Sequence, residues 1–381
     1  MHPGIGTEGT LPGLVVHEWL ARTGGSENVV QAIMEALPES DLWALWNDAP
    51  ERFPSARESW LSRVPLRKSR VAALPLMPSV WRHIPATRKY DWVLASSHLF
   101  AHHARVESQP RAPKLSYVHT PARYIWAPEI DARGQSLPVR AIAPAIRKLD
   151  KARASELQSA AANSEYVRQR IRDSWGIDAR VIYPPVDVAR ITSVEDWRTR
   201  LSETEAAAIA KLPSQFLLGA SRFVEYKRLD DAIRVGQSMG LPVVLAGSGP
   251  DGGRLRSIAE KSSVPVTFIE RPSDEMLYSL YQLAFAFVFL PIEDFGIMPV
   301  EAMACGTPVI VSPKGGARES VTLCGGGATL SDPSNPELVQ AVAGVIEGLD
   351  RASISGRTAA FSRERFAGEV RDWILQEAGE L

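Results

Sequence analysis

Apolar residues along this chain gather into short solid runs separated by stretches of helical period. Leu14-Val-Val-His17, Asp41 to Trp46, Tyr90 to Ser97, Pro113 to His119 and the shorter Ala160 to Ser164 have strand length. Such near-continuous runs predict strands buried on both faces of a parallel sheet. Between the first two, Val29, Val30, Ile33, Met34 and Leu37 recur at helical spacing. Leu149 to Leu157 and Glu165 to Trp175 also read as helices, the latter capped by Ser164. Arg180 to Asp187 leaves this series through the stiff pair Pro184-Pro185, and Asp187 to Lys211 is charged and poor in apolar residues. A second series then begins. Strands are expected at Phe216–Phe223, Val266–Glu270, Phe285–Leu290 and Pro308–Val311, a strand then a Gly loop over Pro242–Gly249, and helices at Leu229–Met239 and Asp274–Ala284. Helices around Arg318–Val321, at Leu338–Leu349 and at Ala359–Leu375 follow. Strand–helix alternation twice over predicts an α/β protein of two doubly wound, Rossmann-like domains facing a cleft.

Composition supports a folded chain of two domains: 381 residues, 45% hydrophobic and 23% charged. No apolar run approaches the length of a membrane span. Met1 to Pro12 is polar and Gly-rich, with no hydrophobic signal region, so export is not expected. Cys305 and Cys324 make no disulfide framework, and a reducing cytoplasm is the expected setting. The net charge of −1 conceals an asymmetry, because residues 1–185 carry 24 Lys+Arg against 18 Asp+Glu and residues 186–381 carry 19 against 26. The balance excludes a general nucleic-acid binder. Residues 51–90 hold nine of the cations, with only Glu51 and Glu58 as acids. Here Arg63, Arg67, Lys68, Arg70, Arg82, Arg88 and Lys89 interleave with Leu74, Leu76, Met77, Val80 and Trp81, and four prolines exclude one long helix. Two readings stand. One is irregular surface with solvated charges. The other is a peripheral contact with the inner face of a membrane or a lipid-linked acceptor, with Met77 and Trp81 at the interface.

Candidate chemistry collects at strand ends, where open α/β sheets bind ligands. After Phe285–Leu290 the chain turns at Gly296 and enters a helix with Pro299 in its first turn. Glu293 falls in the loop and Glu301 in the helix. The free N–H groups of Gly296, Ile297 and Met298 suit an anion, and the carboxylates suit sugar hydroxyls. Gly24 and Gly25 admit close backbone approach before the first helix, but not in a dinucleotide fingerprint. Arg222 and Lys227 stand at the end of Phe216–Phe223, where two cations can neutralise a diphosphate. Arg271 and Pro272 follow Val266–Glu270. His119 ends a strand and precedes Thr120-Pro121. His98, His102 and His103 lack carboxylate partners at a recognisable spacing and read as ordinary. No metal site is evident.

The segment Glu293-Asp-Phe-Gly-Ile-Met-Pro-Val-Glu301, with Ala302 to Ile310 after it, resembles the Glu-x7-Glu signature of the retaining glycosyltransferases of family 4. Gly24-Gly-Ser-Glu27, His119-Thr-Pro-Ala-Arg-Tyr-Ile-Trp126 and Ser221-Arg222 with Tyr226-Lys227 resemble further elements of that family in the expected order, the His119 segment matching a mannosyltransferase-like branch. The resemblance implies the GT-B fold. Residues 1–185 become an acceptor-side domain, residues 186–358 a nucleotide-sugar-binding domain, and residues 359–381 a helix crossing back to the first. It implies transfer of a sugar from a nucleoside diphosphate to an acceptor hydroxyl with retention, without a metal or other cofactor. His119, Arg222, Lys227 and Glu293 would then be catalytic. Gly24, Gly25, Arg271, Pro272, Phe295, Gly296, Ile297, Met298 and Glu301 would bind the donor, Glu301 at the ribose. Glu270 stands where the family often has Gly, and Pro272 lacks an N–H, so the base contacts carry over weakly. GDP-mannose leads as donor, with UDP- or dTDP-sugars as alternatives, and the acceptor is a glycan or lipid-linked intermediate. A nucleotide-sugar epimerase and a non-catalytic nucleotide-sugar-binding protein are the readings from other classes.

Overall fold

The structure, a computed structural model, describes residues 12–68, 73–128 and 136–379. Arg70 and residues 1–11 of the sequence reading lie outside them. Backbone contacts divide the chain into two units, one running to Pro185 and resuming at Glu364, the other Val186–Arg363.

The first unit is built on seven strands: β1 (Gly13–His17), β2 (Asp41–Ala44), β3 (Arg57–Glu58), β4 (Trp92–Ser97), β5 (Lys114–Val118), β6 (Ser159–Ala162) and β7 (Arg180–Val181). Their order is β3-β2-β1-β4-β5-β6-β7, and every pair is parallel. The winding reverses between β1 and β4, which makes their carboxyl ends the switch point. Apolar residues cover both faces, as their unbroken runs require. Leu14, Val16, Trp43, Trp81 and Val93 form one layer. Val15, Leu42, Leu94 and Leu115 form the other, closed by Phe366, Val370, Trp373 and Ile374 of the Arg363–Gly379 helix.

The second unit repeats the plan with β8 (Leu217–Ala220), β9 (Val243–Ala246), β10 (Val266–Ile269), β11 (Ala286–Phe289), β12 (Val309–Val311) and β13 (Gly327–Thr329). The order is β10-β9-β8-β11-β12-β13, again all parallel, with the switch between β8 and β11. The α/β, doubly wound class read from the sequence is the class observed.

Several expectations are corrected. The helix placed at Leu149–Leu157 runs over Leu137–Ala154, with Pro144 inside it. Asp187–Lys211 is not featureless. It holds helices Val188–Thr192 and Glu203–Ile209, the second with a Ser202–Glu205 capping box, and Trp197 is buried against Tyr278. Met77 and Trp81 are fully buried and so cannot meet a membrane; the exposed aromatic of that stretch is Trp60. Three of its arginines are engaged as well, Arg67 with Asp48, Arg82 with Glu156 and Arg88 with Asp41. Among the described residues no helix is long and apolar enough to cross a membrane.

Candidate active site

In the second unit, β11 delivers the chain to Glu293 and the Ile297–Ala304 helix. Glu293 is ion-paired with Lys227, from the turn after β8. Lys227 Nζ also lies 5.3 Å from the Tyr226 ring centroid and 5.9 Å from that of Phe289, and Arg222 Nη2 donates to the Tyr226 hydroxyl at 3.1 Å. The switch point thus gathers Arg222, Tyr226, Lys227 and Glu293 from segments 66 residues apart. Gly296 is the N-cap of the helix, at φ 89° and ψ 86°, a conformation natural only to glycine. No side chain caps this end among the described residues, so the first N–H groups are open to a ligand. Phe295 is buried against Phe361, which leaves only its backbone for binding.

The loop is held from behind by Gly315 and Gly316. Gly316 N donates to Glu293 O at 2.8 Å. A Cβ on Gly316 would stand 2.2 Å from Asp294 O, and one on Gly315 2.8 Å from Glu293 O. These two glycines lie outside the candidate residues read from the sequence, since only the folded chain brings them against the Glu293 loop. Glu301, one turn inside the helix, is half-buried, and its carboxylate makes no hydrogen bond with another described residue. Burial, then the nearby Asp274 charge, pushes its carboxyl up to about 7. Arg271, in the left-handed region at φ 50°, and Pro272 end β10. No hydrogen bond or ion pair among the described residues ties them to the Lys227–Glu293 group.

In the first unit, Gly24 caps the Gly25–Ala36 helix, again without a side-chain cap among the described residues. A Cβ at Gly24 would lie 2.1 Å from Glu27 Oε2. Glu27 folds back there to accept from Ala21 N at 3.2 Å and Ser26 Oγ at 2.7 Å, pinning the loop.

His119 follows β5. Its Nε2 is 2.9 Å from Ser96 Oγ, and it belongs to a group the sequence did not reveal. His17 Nδ1 donates to Ser96 O at 2.9 Å, and the His17 ring centroid is 6.2 Å from that of His119 and 5.3 Å from that of His98. Burial, then His17 and His98, hold the His119 imidazole well below its usual range, so it is neutral at pH 7. Glu18 lies beneath, fully buried. Its Oε1 accepts from the N–H groups of His98, Leu99 and Ala101 at 3.1, 2.9 and 2.9 Å, and its Oε2 is 3.1 Å from His98 Nδ1. Burial pushes the Glu18 carboxyl up, but His98, His17 and those amides overcome it and hold it at about 2.

The expectation that His98, His102 and His103 lack carboxylates therefore fails. His98 has Glu18, and His102 and His103 both meet Asp150 Oδ1, at 3.0 and 2.9 Å. The partners lie up to 80 residues away in sequence, beyond the reach of local spacing.

These two sets, His17–Glu18–His98 and His102–His103–Asp150, each bring three potential metal-ligand atoms within 4.8 Å. In the first, His17 Nδ1 is already committed to Ser96 O. In the second, Asp150 Oδ2 takes indole N–H groups from Trp126 and Trp175 at 2.6 and 2.8 Å. Both sets work as hydrogen-bonded and ion-paired networks.

Two parallel doubly wound sheets with ligand-type groups at their switch points define the GT-B architecture. A protein of Anabaena solved with UDP-glucose shares it at a TM-score of 0.67 and 17% identity, over 97% of this chain and all of that one. A sucrose-phosphate synthase of Thermosynechococcus elongatus does so at 0.68 and 19%, over the same shares. The model of Glycosyltransferase Family 4 matches residues 23–190, and that of Glycosyl transferases group 1 matches residues 203–356. The chain belongs to the family 4 glycosyltransferases. It is 28% identical over 241 residues to the GDP-mannose-dependent alpha-(1-6)-phosphatidylinositol monomannoside mannosyltransferase of Mycobacterium tuberculosis. That match covers 55% of this chain and 60% of the relative. It is 33% identical to the D-inositol 3-phosphate glycosyltransferase of Mycolicibacterium smegmatis over 36% of this chain and 32% of that one.

Proposed function

We propose that this protein is a retaining glycosyltransferase that moves mannose from GDP-mannose to a hydroxyl of a glycan or lipid-linked acceptor. The observation that carries the reading is the Lys227–Glu293 pair set beside the open start of the Ile297–Ala304 helix. The donor assignment leans on the GDP-mannose dependence of the mycobacterial mannosyltransferase.

In this reading the diphosphate takes the N–H groups of Ile297 and Met298, with Arg222 and Lys227 as counter-charges that stabilise the departing nucleoside diphosphate. Glu293, with the Phe295 and Gly296 backbone, holds hydroxyls of the transferred sugar, and Lys227 fixes its carboxylate meanwhile. Glu301 receives the ribose hydroxyls. Neutral His119 serves as a hydrogen-bond partner for a sugar hydroxyl, oriented by Ser96. Gly24 and Gly25 leave room for phosphate at the helix start behind them. Arg271 and Pro272 carry the base-side contact, the weakest part of the site since nothing links them to the rest.

No side chain is assigned as general base; the departing phosphate oxygen accepts the acceptor's proton. An α-linked product from the α-configured donor, read by NMR of the new anomeric centre, is the expected result. A β-linked product would refute retention.

A further inference from the structure

A second polar cavity opens in the first unit, at the other end of the sheet. Lys114 is the first residue of β5 and His119 follows its last, so the two ends are about 17 Å apart at strand rise. The cavity has a volume of about 240 Å³. Its walls are Arg82, Arg105, Lys114 and Glu156, over a floor that includes Val93 and Val106.

The charges here do not balance. Glu156 alone receives Lys114 Nζ at 3.0 Å, Arg82 Nη1 at 2.6 Å and, from outside the lining, Arg153 Nη1 at 2.7 Å. Arg105 is exposed and makes no ion pair with a described residue. Lys114 is 92% buried, its relative exposure being 8%. Burial lowers its ammonium to about 8 even with Glu156 beside it, so an added anion would relieve a real cost. Three lining cations against one carboxylate leave an excess of two, and guanidinium forks with an ammonium match the three oxygens of a phosphate dianion. The apolar floor accommodates the body that carries it.

We propose that this cavity binds a phosphomonoester, whether from a soluble phosphorylated sugar or from a lipid headgroup, at a site separate from the one around Glu293. The test is thermal unfolding with inorganic phosphate against chloride at equal ionic strength. It is run in a Lys227→Ala background, so that phosphate at the helix start of the second unit does not contribute. Phosphate is expected to raise the midpoint there, and the added exposed substitution Arg105→Glu to weaken its affinity about tenfold or more. A rise that is absent in Lys227→Ala, or that survives Arg105→Glu unchanged, would overturn the proposal. Lys114→Met should abolish the rise too. Arg105→Glu leaves the core untouched and keeps the test valid if Lys114→Met does not fold. Flotation with phosphatidylcholine vesicles containing phosphatidic acid, lost in Arg105→Glu, would assign the lipid source. No flotation alongside an Arg105-dependent rise would assign the soluble one.

Discussion

Glu301 is the residue whose chemistry is most exposed to test. Its folded carboxyl stands near 7 against an unfolded value near 4.5. Between those values the folded protein holds more protons than the unfolded chain, so this group's contribution to stability declines as pH rises through the window. Glu301→Gln should therefore raise the urea midpoint at pH 8, by about 1–2 kcal/mol in stability after allowing for its partial exposure, and leave it nearly unchanged at pH 4. Binding of GDP-mannose, whose ribose favours the ionised form, should release protons near pH 7 and none at pH 9; calorimetry in buffers of different ionisation enthalpy reads this directly. Glu18 has the opposite sign. Its carboxyl is held at about 2, so its stabilisation is complete above pH 4.5 and fades as pH falls toward 2. Glu18→Gln should cost about 1–3 kcal/mol at pH 7 by urea unfolding, with the cost shrinking in acid. Lys227, Glu293 and Glu301 were legible in the sequence because their motifs are local. The His17–Glu18–His98–His119 group was not. Its members come from three strand ends that only the sheet order brings side by side.

At the scale of elements, the Glu293 loop depends on a second loop. Gly316→Ala would drive a methyl into Asp294 O and push Glu293 and the helix start out of register. A loss of about 1–3 kcal/mol in stability, and at least about tenfold in nucleotide affinity, is expected from thermal unfolding and calorimetry. Wild-type affinity in the variant would show that the two loops are not coupled. The longer strands could be read from their unbroken apolar runs because both faces are buried, and the Leu229–Met239 helix from its period because Ile233 and Val235 are buried while Arg234 and Gln237 face solvent. β3, β7 and β13 hold only two or three residues each, too few for any period to register. The Leu137–Ala154 helix carries Pro144 inside it, because a proline's cost is local and packing can outweigh it. The Asp187–Lys211 stretch, charged and poor in apolar residues, is anchored by one buried tryptophan, Trp197, which composition does not single out.

On the scale of the whole molecule, two sheets with the same winding order arise from one repeated sequence rhythm, and the α/β class follows from that rhythm without any motif. Function is not legible at this scale, since the fold is shared by an Anabaena protein solved with UDP-glucose and by a sucrose-phosphate synthase. It rests on the groups at the switch points. The most direct measurement is calorimetric titration of GDP-mannose, GDP, UDP-glucose and UDP into the wild type and Lys227→Ala. Saturable binding of the guanine nucleotides in preference to the uridine ones is expected, weakened about tenfold or more by the substitution. Preference for the uridine ligands would overturn the donor assignment, and no binding of any nucleotide would contradict the glycosyltransferase reading itself.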